Sequence, residues 1–109
     1  MDENMKSDIP MTLEDAYKKL DKMLTKKQKE AVGKATRDEL FLMHFGLGLR
    51  IRNEWFYPAI DNGLMKLFLD NGVIHQDSAS MFVIEGYRRY LSGRPCDIRA
   101  VLGYKTIEK

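Results

Sequence analysis

Apolar residues recur along most of the chain at helical spacing. Leu13, Ala16, Tyr17, Leu20, Met23 and Leu24 follow the three- and four-residue steps of one helix face, and Thr12 precedes them as an N-cap, with Asp15 three positions on. Thr25 opens a second start with Gln28 at the capping-box position, although KKQKEAVGKA offers only Ala31, Val32 and Ala35 for burial. Thr36 and Glu39 make another box. Beyond it Leu40, Phe41, His44, Phe45, Leu47, Gly48, Ile51 and Trp55 mark a face wide enough for a central helix running to about Trp55. Pro58 stops that helix, since proline lacks the amide hydrogen and biases its predecessor away from helical angles.

Asp61 or Asn62 can cap a short helix containing Leu64, Met65, Leu67, Phe68 and Leu69, which Asn71-Gly72 ends. The pattern restarts at Asp77 or Ser78, where Ala79, Phe82, Val83, Gly86, Tyr87 and Tyr90 share one face. Gly93 and Pro95 close it, and Asp97 caps a last short turn with Ile98, Val101 and Leu102. No stretch alternates as a strand would. The expected fold is therefore all-α, a compact single-domain bundle of five to six short helices. Residues 1–11 read as a flexible leader, 12–104 as the domain and 105–109 as a tail.

At 109 residues, 44 % hydrophobic and 31 % charged, the chain has the composition of an ordinary globular domain. No run approaches the ~18 apolar residues of a membrane span, and MDENMKSDIP is polar and acidic where a secretory signal would be basic then apolar. A lone cysteine, Cys96, forms no internal disulfide and removes any multi-cysteine metal cage, so the cytoplasm is the expected compartment. The net charge of +2 is uneven: residues 86–109 hold six basic side chains against two acidic, residues 37–85 four against seven. The cationic end would orient an acidic partner or a nucleic acid.

The run from His44 to Tyr57 carries the densest chemistry. Gly46 and Gly48 inside a helix each cost roughly 1 kcal/mol relative to alanine, which points to close approach of another helix. A phosphate cradle fits less well, because no strand precedes the glycines and no P-loop lysine follows. Arg50 can pair with Glu54 one turn on. His44 with Arg52 and Asn53 resembles a phosphodiester-cleaving base and charge stabiliser, although a histidine and an arginine on an apolar face serve more often as hydrogen-bonded scaffold. His75, Gln76 and Asp77 form a second polar cluster, in which Asp77 is needed as a cap. Two histidines 31 positions apart lack metal-site spacing, so no metal and no cofactor are expected. Tyr87 and Tyr90 fall on the apolar stripe, while Arg88, Arg89, Arg94 and Arg99 remain for phosphates or a protein partner. Cys96 precedes a helix start that would lower a thiol pKa, a thin basis for catalysis.

TLEDAYKKLDKML at 12–24, DELFLMHFGLGLRIRNEWF at 38–56 and VIHQDSASMFVIEGYRRYLSGRP at 73–95 together resemble a small bacterial family of uncharacterised helical proteins. Its pattern is matched at His44, Phe45, Gly46, Leu47, Gly48, Ile51, Arg52, Asn53, Trp55, His75, Asp77, Tyr87, Arg89 and Tyr90. Phe56-Tyr57-Pro58 departs from it, where a polar, glycine-containing loop would be usual. The resemblance implies a helical fold and no activity.

Three functions follow as expectations. The first is a non-enzymatic protein-binding module, an inhibitor or immunity-type protein of a bacterial or phage conflict system, presenting Arg50, Arg52, Asn53, Trp55, Tyr57, His75, Arg88, Arg89, Arg94 and Arg99. It needs no membrane and is a monomer or small homo-oligomer. The second is an RNA-binding or RNA-interfering module using Arg88, Arg89, Arg94, Arg99 and Lys105. A nuclease built on His44, Arg52, Asn53 and His75 ranks last.

Overall fold

A computed structural model of the chain describes residues 9–57 and 63–107, leaving out the side chains of His44 and of residues 104–107. The expected stop at Pro58, the caps at Asp61 and Asn62, and residues 1–8, 108 and 109 lie outside that range. The described residues form seven α-helices and no strand. They are α1 (Leu13–Met23), α2 (Lys26–Lys34), α3 (Arg37–Leu42), α4 (Leu47–Ile51), α5 (Gly63–Asp70), α6 (Gln76–Leu91) and α7 (Ile98–Ile107).

Local signals place most of the boundaries. Thr12 accepts a hydrogen bond from the Asp15 amide, and Thr25–Gln28 and Thr36–Glu39 close reciprocal capping boxes. Gly72 and Gly93 adopt φ +88° and +72° just beyond α5 and α6, conformations that glycine reaches without a Cβ penalty. Asp97 accepts from the Ala100 amide, but α7 continues to Ile107, well past the short turn expected there.

The central position belongs to α6, which touches every other helix. Ala79, Val83, Ile84 and Tyr87 are fully buried along it. Gly86 lets α1 approach closely: a Cβ there would collide with the Tyr17 hydroxyl and stand 2.8 Å from Tyr17 Cζ and 3.1 Å from Val101 Cγ2.

The segment expected as one central helix is broken. After α3 the chain tightens into a 3-10 turn at Met43–Phe45, leaves helical angles at Gly46 (φ −112°, ψ −83°), resumes as α4 and widens into a π turn at Arg52–Phe56. The Tyr57 amide bonds back to the Arg52 carbonyl at 2.9 Å, the five-residue step of a π turn.

Side chains then tie distant elements together. Tyr17 Oη donates to the Cys96 carbonyl at 2.8 Å. Asp21 accepts from Tyr87 Oη at 2.7 Å and Tyr90 Oη at 3.3 Å, with Lys29 Nζ at 3.8 Å, so one carboxylate joins α1, α2 and α6. Pro10, expected in a flexible leader, is buried instead: its carbonyl accepts from the Leu64 amide at 3.0 Å, and Gly63 (φ +60°) opens α5 against it.

Candidate functional site

The expected polar site divides between core and surface. Arg52, at the start of the π turn, continues the buried face of Gly48 and Ile51, and only 6 % of it is exposed. Its Nε lies 3.3 Å from Asp77 Oδ1, and its Nη1 donates to Ser80 Oγ at 3.0 Å. Ser80 Oγ in turn donates to the Asp77 carbonyl at 2.8 Å. Asp77 is thus a counterion and not the cap expected of it; the N-cap position falls two residues earlier, at His75, which makes no side-chain cap bond. Trp55 is 3 % exposed among the core residues.

Arg52 and Trp55, expected on a binding surface, are therefore interior: the Trp55 ring is buried in the core and the Arg52 guanidinium is paired with Asp77 and Ser80 of α6. Asn53, His75 and Tyr57 are at the surface. Arg50 is also there, paired through Nε with Glu54 Oε2 at 3.0 Å as the spacing suggested. The His44 side chain lies outside the described residues. Among the described residues no three His, Cys, Asp or Glu side chains converge to hold a metal.

The basic end is also divided. Arg88 Nε donates to the Ala35 carbonyl at 3.0 Å, where α2 ends, and Arg89 Nε meets Glu85 Oε2 at 3.1 Å. Both arginines, expected to project freely, serve as struts because α2 and the loop after α6 fold over them. Arg94 and Arg99 are exposed. Lys105 has no described side chain.

An apolar stripe crosses the broken segment on its outer side. Phe41, Leu42, Phe45 and Leu49 are 60, 63, 67 and 46 % exposed, and the Phe41 and Phe45 rings meet edge to face with centroids 6.2 Å apart. Leu40, Gly48 and Ile51 of the same segment are buried. Periodicity had assigned Phe41 and Phe45 to the core. The sequence held a signal against that, since Leu40 to Ile51 carries more large apolar residues than one buried face can take.

Open concavities lie among the described residues, two of them lined mainly by apolar side chains. Leu24, Val32, Met43 and Leu47 floor an open groove of about 370 Å³ between α2 and the broken segment. Tyr17, Leu67, Tyr90 and Cys96 line a second, of about 410 Å³. Burial, with the carboxylates of Asp97 and Glu14 close by, pushes the Cys96 thiol up, against the lowering expected of a helix start.

A family model described as "Domain of unknown function (DUF6794)" matches residues 9–91. No curated protein and no solved structure matches the chain. No helix among the described residues is long and apolar enough to cross a membrane.

Proposed function

Since the chain belongs to the family of Domain of unknown function (DUF6794), a description that carries no activity, we propose its function from its surface: a protein-binding module that acts by occupying a partner. The contact face is the Phe41-Leu42-Phe45-Leu49 stripe. One observation carries this reading, namely that four large apolar side chains between Phe41 and Leu49 stand 46 to 67 % exposed across α3, the 3-10 turn and α4. A patch of that kind marks an interaction surface more often than chance exposure, and i, i+4 anchors suit a helical or grooved partner. Burying such a side chain fully is worth roughly 1.5–3 kcal/mol, so the stripe offers several kcal/mol against the cost of association. An inhibitor or immunity-type role in a bacterial or phage conflict system is one form such occupancy takes.

The RNA-binding alternative keeps Arg94 and Arg99, whereas Arg88 and Arg89 are spent on Ala35 and Glu85. A photo-crosslinking phenylalanine analogue placed in turn at Phe45, Leu49, Arg94 and Arg99 of the expressed protein separates the two. Discrete protein adducts from Phe45 and Leu49, lost on Phe41→Asp, are expected. RNA adducts from Arg94 and Arg99 with none from the stripe would replace the protein-binding reading by the RNA one.

A further inference from the structure

We infer that the lysine-rich outer face of α1 and α2 binds the phosphate backbone of a nucleic acid without regard to base sequence; this surface is separate from the Phe41 to Leu49 stripe and does not depend on it. Residues 18–34 hold seven lysines against two acids, Asp21 and Glu30, in a chain whose net charge is +2, so the remainder of the molecule is net acidic. The densest positive charge therefore lies here and not at residues 86–109. Asp21 is committed to Tyr87, Tyr90 and Lys29, which leaves Glu30 as the exposed acid of the stretch. Lys18, Lys22, Lys26, Lys27 and Lys34 are exposed, and no ion pair or hydrogen bond among the described residues engages their ammonium groups.

The fold sets the two helices side by side. Asp21 of α1 meets Tyr87 and Tyr90 of α6, Gly33 of α2 lies against Leu91, and Lys29 reaches back to Asp21 at 3.8 Å. Lys18 and Lys22 stand one turn apart, away from the buried Leu13, Ala16 and Leu20, and Lys26, Lys27 and Lys34 stand away from the buried Val32. Folding stability does not call for this placement. In its first turn, where the macrodipole favours acids, α1 carries Glu14 and Asp15, whereas α2 carries Lys26 and Lys27 and no acid. The side-chain chemistry selects the partner. Lysine is depleted in protein interfaces, whereas its compact ammonium on a flexible stem meets phosphate as a point charge. Residues 18–34 contain no aromatic side chain on which a base could stack, so the contact goes to the backbone.

Fluorescence anisotropy of the full chain against a labelled DNA duplex of about 24 base pairs, an RNA duplex of the same sequence and labelled polyglutamate tests this. Binding to at least one duplex is expected, and the tighter of the two names DNA or RNA as the source of the backbone. A log–log slope near about −4 should weaken it roughly 250-fold between about 50 and 200 mM NaCl. Lys27→Gln and Lys18→Gln should each lower that slope by about one. Lys18, Lys22, Lys26, Lys27 and Lys34 all changed to Gln should bind at least about a hundredfold more weakly at the lower salt, with helical circular dichroism kept, while Arg94→Gln with Arg99→Gln should keep most of the affinity. No binding of either duplex at several hundred micromolar protein, a slope near zero, or slopes unchanged in both single variants overturns the inference. So does loss of binding confined to the Arg94 and Arg99 pair. Polyglutamate bound more tightly than either duplex overturns it in favour of an acidic protein.

Discussion

Tyr17 occupies the space that any side chain on Gly86 would need, and from there its hydroxyl reaches the Cys96 carbonyl at 2.8 Å. Gly86→Ala must therefore displace a buried ring that is hydrogen-bonded across 79 positions of sequence. The expected loss is about 1–3 kcal/mol by chemical denaturation, as for other overpacked cores. Gly46→Ala, with open space around it, should leave the monomer within about 0.5 kcal/mol of wild type.

Arg52 and Asp77 should respond unequally to truncation. Arg52→Ala removes a side chain that is 7 % exposed together with its bond to Ser80, leaving a void; a loss of about 3 kcal/mol is expected. Asp77→Ala removes a carboxylate that is 67 % exposed, and the loss should be nearer 1 kcal/mol, because water already screens that half of the pair. Urea midpoints at constant slope measure both.

Burial pushes the Tyr17 and Tyr87 phenols up, and for Tyr87 its hydrogen bond to the Asp21 carboxylate adds to the effect. Each keeps its proton in the folded chain at pH values where the unfolded phenol, near 10, has lost it. The stabilisation is therefore fully present below about pH 10 and is lost as pH rises above it. Urea unfolding at pH 8 to 11.5 should show a falling midpoint above pH 10, with a shallower fall in Tyr87→Phe.

Cys96 should react slowly. With its thiol pushed up by burial, the thiolate fraction at pH 7.5 lies below that of an exposed cysteine. Alkylation by iodoacetamide should be several-fold slower in the native chain than in urea, and a native rate equal to the unfolded one would refute this.

The legible parts of the fold were those decided within four residues. Thr12, Thr25 with Gln28, Thr36 with Glu39, Gly72 and Gly93 fix helix ends through their own backbone neighbours, and each lies where the sequence put it. What the pattern missed depends on residues far away in the chain. Asp77 left its cap for Arg52, 25 positions earlier, and Arg88 turned from solvent to the end of α2. Pro10 left a supposed leader for α5. The candidate surface was legible only as an excess: Leu40 to Ile51 holds more apolar residues than one buried face can take, and periodicity alone cannot say which of them stay outside.

The π turn at Arg52–Phe56 closes on the Tyr57 amide with one residue more than an α-turn holds. Each of its turns takes up more residues than an α-turn, so counting along the chain and rotating around the axis fall out of step, like the two scales of a vernier. Arg52, Trp55 and Phe56 face inward at the i, i+3, i+4 spacing of one helix face, while Asn53 and Glu54 between them stay in water. Deleting one residue here would return the segment to ordinary α register. It would also swing part of this inward set toward solvent, so the segment tolerates substitution at Asn53 or Glu54 far better than a change in length.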